Sequence, residues 1–389
     1  MAIELGGDAF FADPYPTYRR MRTDHPVHRD EASGFWFITR HADVSAALAA
    51  PHIFSSARGN ALVDSPQRVG MTLGSMDPPR HDELRRVIMR GVTPARIEAM
   101  VPRMRAHLAE ILARIAPQGS CDFVADISRP VLFGALGRML GLDEEAARRA
   151  TALSAKLFHG NGGPAGPSLS EQDRADVVAF IREQLDKRRT DRSDDLLSVL
   201  MEAQDAGASL SDAEIVANMM TVLLAGNASI GHFLPNLVHA LWMHPEQRAS
   251  VAREPSLADA AIEEGLRWDT PTQCFARQTT QAVVVEGTTI PENARVVLVY
   301  ASANRDDAAF ENADAFDIAR GRTRHLGFGS GPHICLGAQA ARAMLRPILQ
   351  DLLTQIGDYE IDLARAVRVR HLMARGFRSL PISWSRASA

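Results

Sequence analysis

The chain has 389 residues, 46% hydrophobic and 23% charged, with a net charge of −4. That balance allows a large buried core and argues against a nucleic-acid or membrane-surface partner, which would need a strongly basic face. Three cysteines, Cys121, Cys274 and Cys335, are odd in number and widely separated, which excludes a disulfide framework and fits a reducing cytoplasm.

In chain order, "MAIELGGDAFFADPYPTYRRMR" holds neither a basic-then-apolar leader nor about twenty consecutive apolar residues. No membrane anchor is expected, and the cytoplasm is the expected compartment. "GFWFITR" reads as a short strand. "TPARIEAMVPRMRAHLAEILARI" has helical apolar spacing, with Thr93 placed to cap it and Pro94 at its first position. A Gly/Pro-rich loop over residues 159–169 is a lid or a spacer. "DVVAFIREQLDKRR" and "DLLSVLMEA" repeat the amphipathic pattern. "SDAEIVANMMTVLLAGNASIGHFLPNLVHALWMH" is apolar nearly all round, which predicts a long helix through the middle of the protein. Pro235 removes one of its backbone hydrogen bonds and predicts a bend near residues 230–231. "AVVVEGTTIPENARVVLVY" and "SLPISW" add short strands. Nothing marks a linker or a repeat, so a single domain over residues 1–389, mainly α with a minor β component, is expected.

There is no CxxC pair, no HExxH and no GxGxxG after a strand, so zinc and a Rossmann-type dinucleotide site are not expected. Redox chemistry would need a bound cofactor. "FGSGPHICLG", Phe328 to Gly337, is the stretch that suggests one. A lone cysteine is most often a small buried hydrophobe. Cys335, however, is surrounded by Gly329, Gly331 and Gly337, and the helical pattern "GAQAARAMLRPILQDLL" begins straight after it. The sulfur is thereby placed at a helix N-terminus, where amide N–H groups and the helix dipole favour a thiolate. Among cofactors held by one cysteine, haem iron with a proximal thiolate fits best.

The loop resembles the haem-binding loop of the cytochrome P450 family, Phe-x-x-Gly-x-x-x-Cys-x-Gly, with Phe328, Gly331, Cys335 and Gly337 in its four fixed places. "AIEEGLRWDTP" carries the family's Glu-x-x-Arg pair as Glu264 and Arg267, at i and i+3 on a helix that Ser256 is placed to cap. The resemblance gives that pair a structural role. "MDPPRHDELRR" resembles the family's Asp-Pro-Pro-x-His-x-x-x-Arg segment and sets His81 and Arg85 on one helix face, at haem-propionate positions. Arg277 in "CFARQTT" matches another such position, and His333 a fourth. The resemblance runs from "DPYPTYRRMR" to "RGFRSLPISW". It implies the cytochrome P450 fold, with a long central helix over a haem b (iron protoporphyrin IX), and a medium-sized organic substrate. With no flavin or iron–sulfur motif in the chain, electrons are expected from NAD(P)H through a ferredoxin reductase and a ferredoxin. Arg85, Arg86, Arg90, Arg342 and Arg346 are the candidate basic patch for such an acidic partner.

One element departs from the family pattern. Where the family has Ala-Gly-x-Asp/Glu-Thr over the iron, this chain has "LLAGNASIGHF". Ala225 and Gly226 match and, with Ser229, leave room for dioxygen and substrate. The acid position is Ala228 and the threonine position Ser229. Cleavage of dioxygen needs protons that the acid and alcohol normally organise. A serine can replace the alcohol and Asn227 can position water, but alanine cannot replace a carboxylate. The expected reaction is monooxygenation, with Ser229 and Asn227 handling distal water and protons supplied by the substrate or along another route. The alternatives are a peroxide-driven or oxidative-coupling haem-thiolate enzyme, and a haem-binding sensor or carrier without turnover. By resemblance, substrate contacts fall in residues 60–73, 153–169, 272–274 and 373–377 and on the central helix near Asn227. Asp64, Arg68, Lys156 and Arg375 are the few charges among them, polar anchors in a mixed apolar pocket. Gln273 and Cys274 are the unusual members, and Cys274 is read as packing.

Overall fold

The computed structural model describes residues 3–64, 66–131, 137, 140–159 and 170–385. Helices dominate, as the apolar periodicity predicts, and the sheets are small. The loop at 160–169 lies outside the described residues.

The helix Pro94–Ile115 begins where its sequence signals place it: the Thr93 side chain accepts the N–H of Arg96 at 3.4 Å, and Pro94 spends no hydrogen bond at the first position. It packs along Ala338–Ile356, the helix that follows Cys335. The amphipathic runs later in the chain become Glu171–Thr190 and Leu196–Asp205.

The central helix, Asp212–Met243, has 32 residues and is about 48 Å long at 1.5 Å per residue. Ser211 and Glu214 close its N-terminus as a capping box, each side chain accepting the other's backbone N–H. By length and composition it could cross a membrane, but it packs against Glu144–His159, Glu171–Thr190 and Ala258–Trp268. Every residue from 230 to 241 is buried, whereas Ala225 is exposed in the middle of the helix. Its middle turns therefore border open space while its C-terminal half fills the core. The helix runs unbroken past Pro235. The carbonyl that the proline deprives of a donor, that of Gly231, accepts a hydrogen bond from Ser128 Oγ at 3.3 Å instead.

Five short strands form the largest sheet, in the order Val27–Arg29, Trp36–Ile38, Arg295–Leu298, Phe275–Thr279, Phe54–Ser55. Trp36–Ile38 pairs parallel with Arg295–Leu298, and the other neighbours are antiparallel. The run "AVVVEGTTIPENARVVLVY" splits into three strands, because Glu286 and Gly287, with φ of 47° and 72°, turn Val283–Val285 back onto Thr288–Ile290. "SLPISW" becomes Pro381–Trp384, the middle strand of a three-stranded sheet with Ser120–Asp122 and Tyr359–Ile361.

One sequence reading of the fold is corrected. Ser256 does not cap the Glu264 helix. It sits in a 3-10 turn, Pro255–Leu257, and its hydroxyl donates to Glu254 at 2.8 Å, so the helix Ala258–Trp268 starts behind Leu257, whose side chain cannot cap.

Candidate functional site

The Phe328–Gly337 loop is a hairpin closed by the N–H of Cys335 donating to the carbonyl of Phe328 at 2.8 Å. Gly331 has φ +69°, and a Cβ there would collide with the backbone carbonyl of Leu48. Both conditions demand glycine. Gly329 also has φ +69°. Gly337 caps the helix Ala338–Ile356, and a Cβ on it would meet nothing within 4 Å among the described residues. That position borders open space, and Cys335 beside it is exposed.

Two opposing influences act on the sulfur. The surrounding protein limits hydration, and this dehydration pushes the Cys335 thiol up, against the Gly337 N–H, Arg85 and Arg342, which all favour the thiolate.

Four of the predicted residues come together beside it from three elements. His81 is fully buried on the helix Arg80–Met89, with Nδ1 2.8 Å from Asp82. Its ring centre lies 4.3 Å from that of His333. The Nε2 atoms of both rings are buried and have no hydrogen-bond partner among the described residues. Burial, then the charges of Arg277, His81 and Arg85, push His333 down to about 3. Arg277, on the strand Phe275–Thr279, is buried and donates to the carbonyl of Ala276 at 2.8 Å. Arg85 is half-buried and interacts electrostatically with Cys335. Two orphaned imidazole nitrogens and two guanidinium groups crowd together with one carboxylate, Asp82. Buried polar atoms are normally paired, and this set has the chemistry to receive a dianion with carboxylate arms. The donor set fits a haem whose iron would meet Cys335.

Glu264 and Arg267 form the expected pair, both buried, with Arg267 Nε and Nη2 donating to the two carboxylate oxygens at 2.8 and 2.6 Å. Arg267 also donates to the carbonyls of Asn304, Ala313 and Ala315, tying its helix to the segment ahead of the cysteine loop.

On the central helix, Ala225 is exposed, and Gly226, Ala228 and Ser229 are partly so. The Ser229 hydroxyl donates to the carbonyl of Ala225 at 2.6 Å, one turn back. The side chain of Asn227 lies outside the described residues, as does that of Lys156.

Several predicted pocket and surface charges are engaged elsewhere. Asp64 accepts the N–H groups of Asn60 and Ala61 and the guanidinium of Arg68 at 3.0 Å, folding its loop onto itself. Arg375 is no pocket anchor: it is buried and donates to Asp269 at 2.5 Å, and Asp269 also accepts the hydroxyl of Tyr15. Gln273 is buried between Tyr18 and Thr270. Burial pushes Cys274 up to about 12, consistent with packing. In the supposed basic patch, Arg342 is forked onto Glu263 and Arg346 is paired with Asp259. Arg86 and Arg90 are the exposed members.

Two features escaped the sequence reading. Glu263 was overshadowed by its neighbour in the Glu-x-x-Arg motif. A polar stripe, His232, Asn236 and His239, follows Ser229 along the buried half of the central helix. Asn236 donates to the carbonyl of Arg375 at 3.0 Å and accepts from Arg368. Polar residues three and four apart in an apolar run were the available signal.

A helical fold that offers a single sulfur at a helix end, beside two imidazoles with buried Nε2 atoms unpartnered among the described residues and two guanidiniums that outnumber the one carboxylate near them, is that of a haem-thiolate protein. A family model described as cytochrome P450 matches residues 171–356. Cytochrome P450 107B1 of Saccharopolyspora erythraea is 32% identical over 96% of each chain. The cytochrome P450 monooxygenase PikC of Streptomyces venezuelae is 30% identical over 99% of this chain and 94% of its own. The solved structure of cytochrome P450 CYP109Q5 from Chondromyces apiculatus superposes with a TM-score of 0.89 at 29% identity, covering 99% of this chain and 98% of that one. The chain belongs to the cytochrome P450 family. It is a haem-containing monooxygenase with the family's fold.

Proposed function

We propose that this enzyme inserts one atom of molecular oxygen into a medium-sized organic substrate, in a single domain spanning residues 1–389 in the cytoplasm. Haem b is held through Cys335, and electrons come from NAD(P)H through a ferredoxin reductase and a ferredoxin. One observation carries the site: the buried, unpartnered Nε2 atoms of His81 and His333, flanked by Arg277 and Arg85 on the side of Cys335.

These four residues would hold the two propionates by charge-assisted hydrogen bonds. Phe328 and Gly329 shape the hairpin that presents the sulfur, and Gly337 leaves its open side free of a side chain. Bound there, haem supplies the dioxygen activation that no side chain provides. Ala225 and Gly226 keep the opposite wall low enough for substrate to approach. With its proton directed at the Ala225 carbonyl, the Ser229 oxygen is left to accept a hydrogen bond from a distal water. Asn227 is assigned to positioning the same water. Because Ala228 has no proton to give, the substrate or a chain of water must supply it.

The similarity to the monooxygenase PikC supports this reading over peroxide-driven or coupling chemistry. Comparing product yield with hydrogen peroxide and with a reductase–ferredoxin pair separates the two. The primary test is spectroscopic. The purified, dithionite-reduced protein under carbon monoxide should give the red-shifted Soret band of thiolate ligation, and Cys335→Ala should lose that band together with monooxygenation. A wild-type protein without the band would end the assignment.

A further inference from the structure

Glu263 precedes the Glu-x-x-Arg glutamate, but its carboxylate serves a different part of the molecule. Arg342 Nε and Nη2 donate to its two oxygens at 2.6 and 2.9 Å, a planar fork. His325 Nε2 lies 3.2 Å from the second oxygen. The N–H of Gly327 donates to Nδ1 of the same ring at 3.0 Å, which leaves the proton on Nε2 and makes His325 a donor to Glu263. Burial alone would raise the Glu263 carboxyl, but its bonds to His325 and Arg342 hold it down at about 2.

These contacts close around the cysteine hairpin. His325 lies just ahead of Phe328, and Arg342 lies two helical turns after Cys335. The Arg342 guanidinium sits 4.6 Å from the centre of the Phe328 ring, and the Phe328 carbonyl takes the Cys335 N–H. One carboxylate thus joins the entry and exit arms of the loop that carries the sulfur. It also neutralises a cation whose charge is felt at that sulfur.

We propose that Glu263 and Arg342 act together as positioning residues that set how strongly the Cys335 sulfur donates to the haem iron. The carboxylate cancels the guanidinium charge facing the sulfur, and the fork holds the loop at fixed geometry. The proposal rests on the haem-thiolate reading above. Groups behind a ligand tune its donation, and the half-buried setting keeps their charges from being fully screened. An uncompensated guanidinium stabilises electron density on the sulfur, weakens donation and favours the ferrous state. An uncompensated carboxylate does the reverse.

The test uses the haem-loaded protein and two readouts, the ferric/ferrous midpoint potential by spectroelectrochemical titration and the ferrous–carbon monoxide spectrum. Glu263→Gln should shift the potential upward and Arg342→Gln downward, and the double variant should return close to wild type. Arg342→Lys keeps the charge without the fork and should lie closer to wild type than Arg342→Gln. It also supplies the test if Arg342→Gln fails to retain haem. A purely structural role predicts shifts of one sign in every variant, with loss of the thiolate band, and that result overturns the proposal. Unchanged potentials at full haem content overturn it as well. A wild-type protein lacking the red-shifted band would instead refute the haem-thiolate reading beneath it, so the two failures are distinguishable.

Discussion

Arg267→Met gives a measurement of what the Glu-x-x-Arg pair contributes. Methionine roughly fills the volume of the arginine stem but removes five hydrogen bonds: two to Glu264 and three to the carbonyls of Asn304, Ala313 and Ala315. The residue is fully buried, so the carbonyls it leaves are shielded from replacement water. Among the described residues, Glu264 keeps only the N–H of Asp317 at 2.8 Å and a longer contact to Arg320 at 3.4 Å. Removing one partner of a buried ion pair costs about 3–5 kcal/mol, chiefly because the other charge stays buried. At about 2 cal/mol/K per residue, the unfolding entropy of a chain this long is about 0.8 kcal/mol/K, so that loss appears as a Tm lower by about 4–6 °C. Differential scanning calorimetry on the haem-loaded protein measures it. Haem content should fall too, because the three carbonyls belong to the segment leading into the cysteine loop. Arg267→Lys, charged but unable to span the fork, should fall between wild type and Arg267→Met. A Tm within about 1 °C of wild type for Arg267→Met would mean that the pair does not anchor this segment.

The remaining predictions concern charge, conformation and protons. Burial holds His232 at about 3 and His239 at about 4, so both are neutral in the folded protein and titrate normally when unfolded. Their stabilising effect is complete above the unfolded value and is lost as pH falls from about 6.5 toward those values; by pH 5.5 each should cost on the order of 1 kcal/mol, read as a lower denaturant midpoint than at pH 7.5. Gly331→Ala places a side chain at φ +69° against the carbonyl of Leu48 and should cost about 1–3 kcal/mol or more, with reduced haem incorporation by pyridine haemochrome assay. Ala228→Asp should raise ferredoxin-supported product formation if proton supply limits turnover. Equal or lower rates would place proton delivery with the substrate.

The parts legible in the sequence were those governed by local chemistry. Thr93 and Pro94 announced a helix start because capping is a matter of adjacent residues. The cysteine hairpin was readable because a positive φ demands glycine whatever packs around it. Arg375 was misjudged because a lone charge in an apolar segment looks the same whether it faces a pocket or a buried carboxylate. Its partner Asp269 is 106 residues away in sequence, and only the fold brings them together. The parallel pairing of Trp36–Ile38 with Arg295–Leu298 was hidden for the same reason, since three-residue strands carry too little pattern to choose a partner. Ser256 failed as a cap because a 3-10 turn inserted itself before the helix, a choice its composition did not signal.

The placement of charge divides the site into two unlike halves. On the cysteine side, Arg85 and Arg342 act electrostatically on the sulfur, and Arg277, Arg85 and His81 act on His333, two residues before it. On the central-helix side, Ala225, Gly226, Ala228 and Ser229 present two methyl groups, a hydrogen and one hydroxyl. A buried polar stripe, His232, Asn236 and His239, follows further along that helix, and Asn236 is spent holding Arg375 and Arg368 in place. On the proposed reading, anchoring and electronic tuning fall to fixed charges on one face, while the other carries no carboxylate at the position of Ala228. If protons come with the substrate, a substrate bearing a hydroxyl or bound water at the right place should supply what Ala228 lacks, and one without it should consume reductant without forming product. Measuring peroxide released per NAD(P)H oxidised across matched hydroxylated and deoxygenated ligands tests that division. Equal coupling in both series would locate the proton route within the protein.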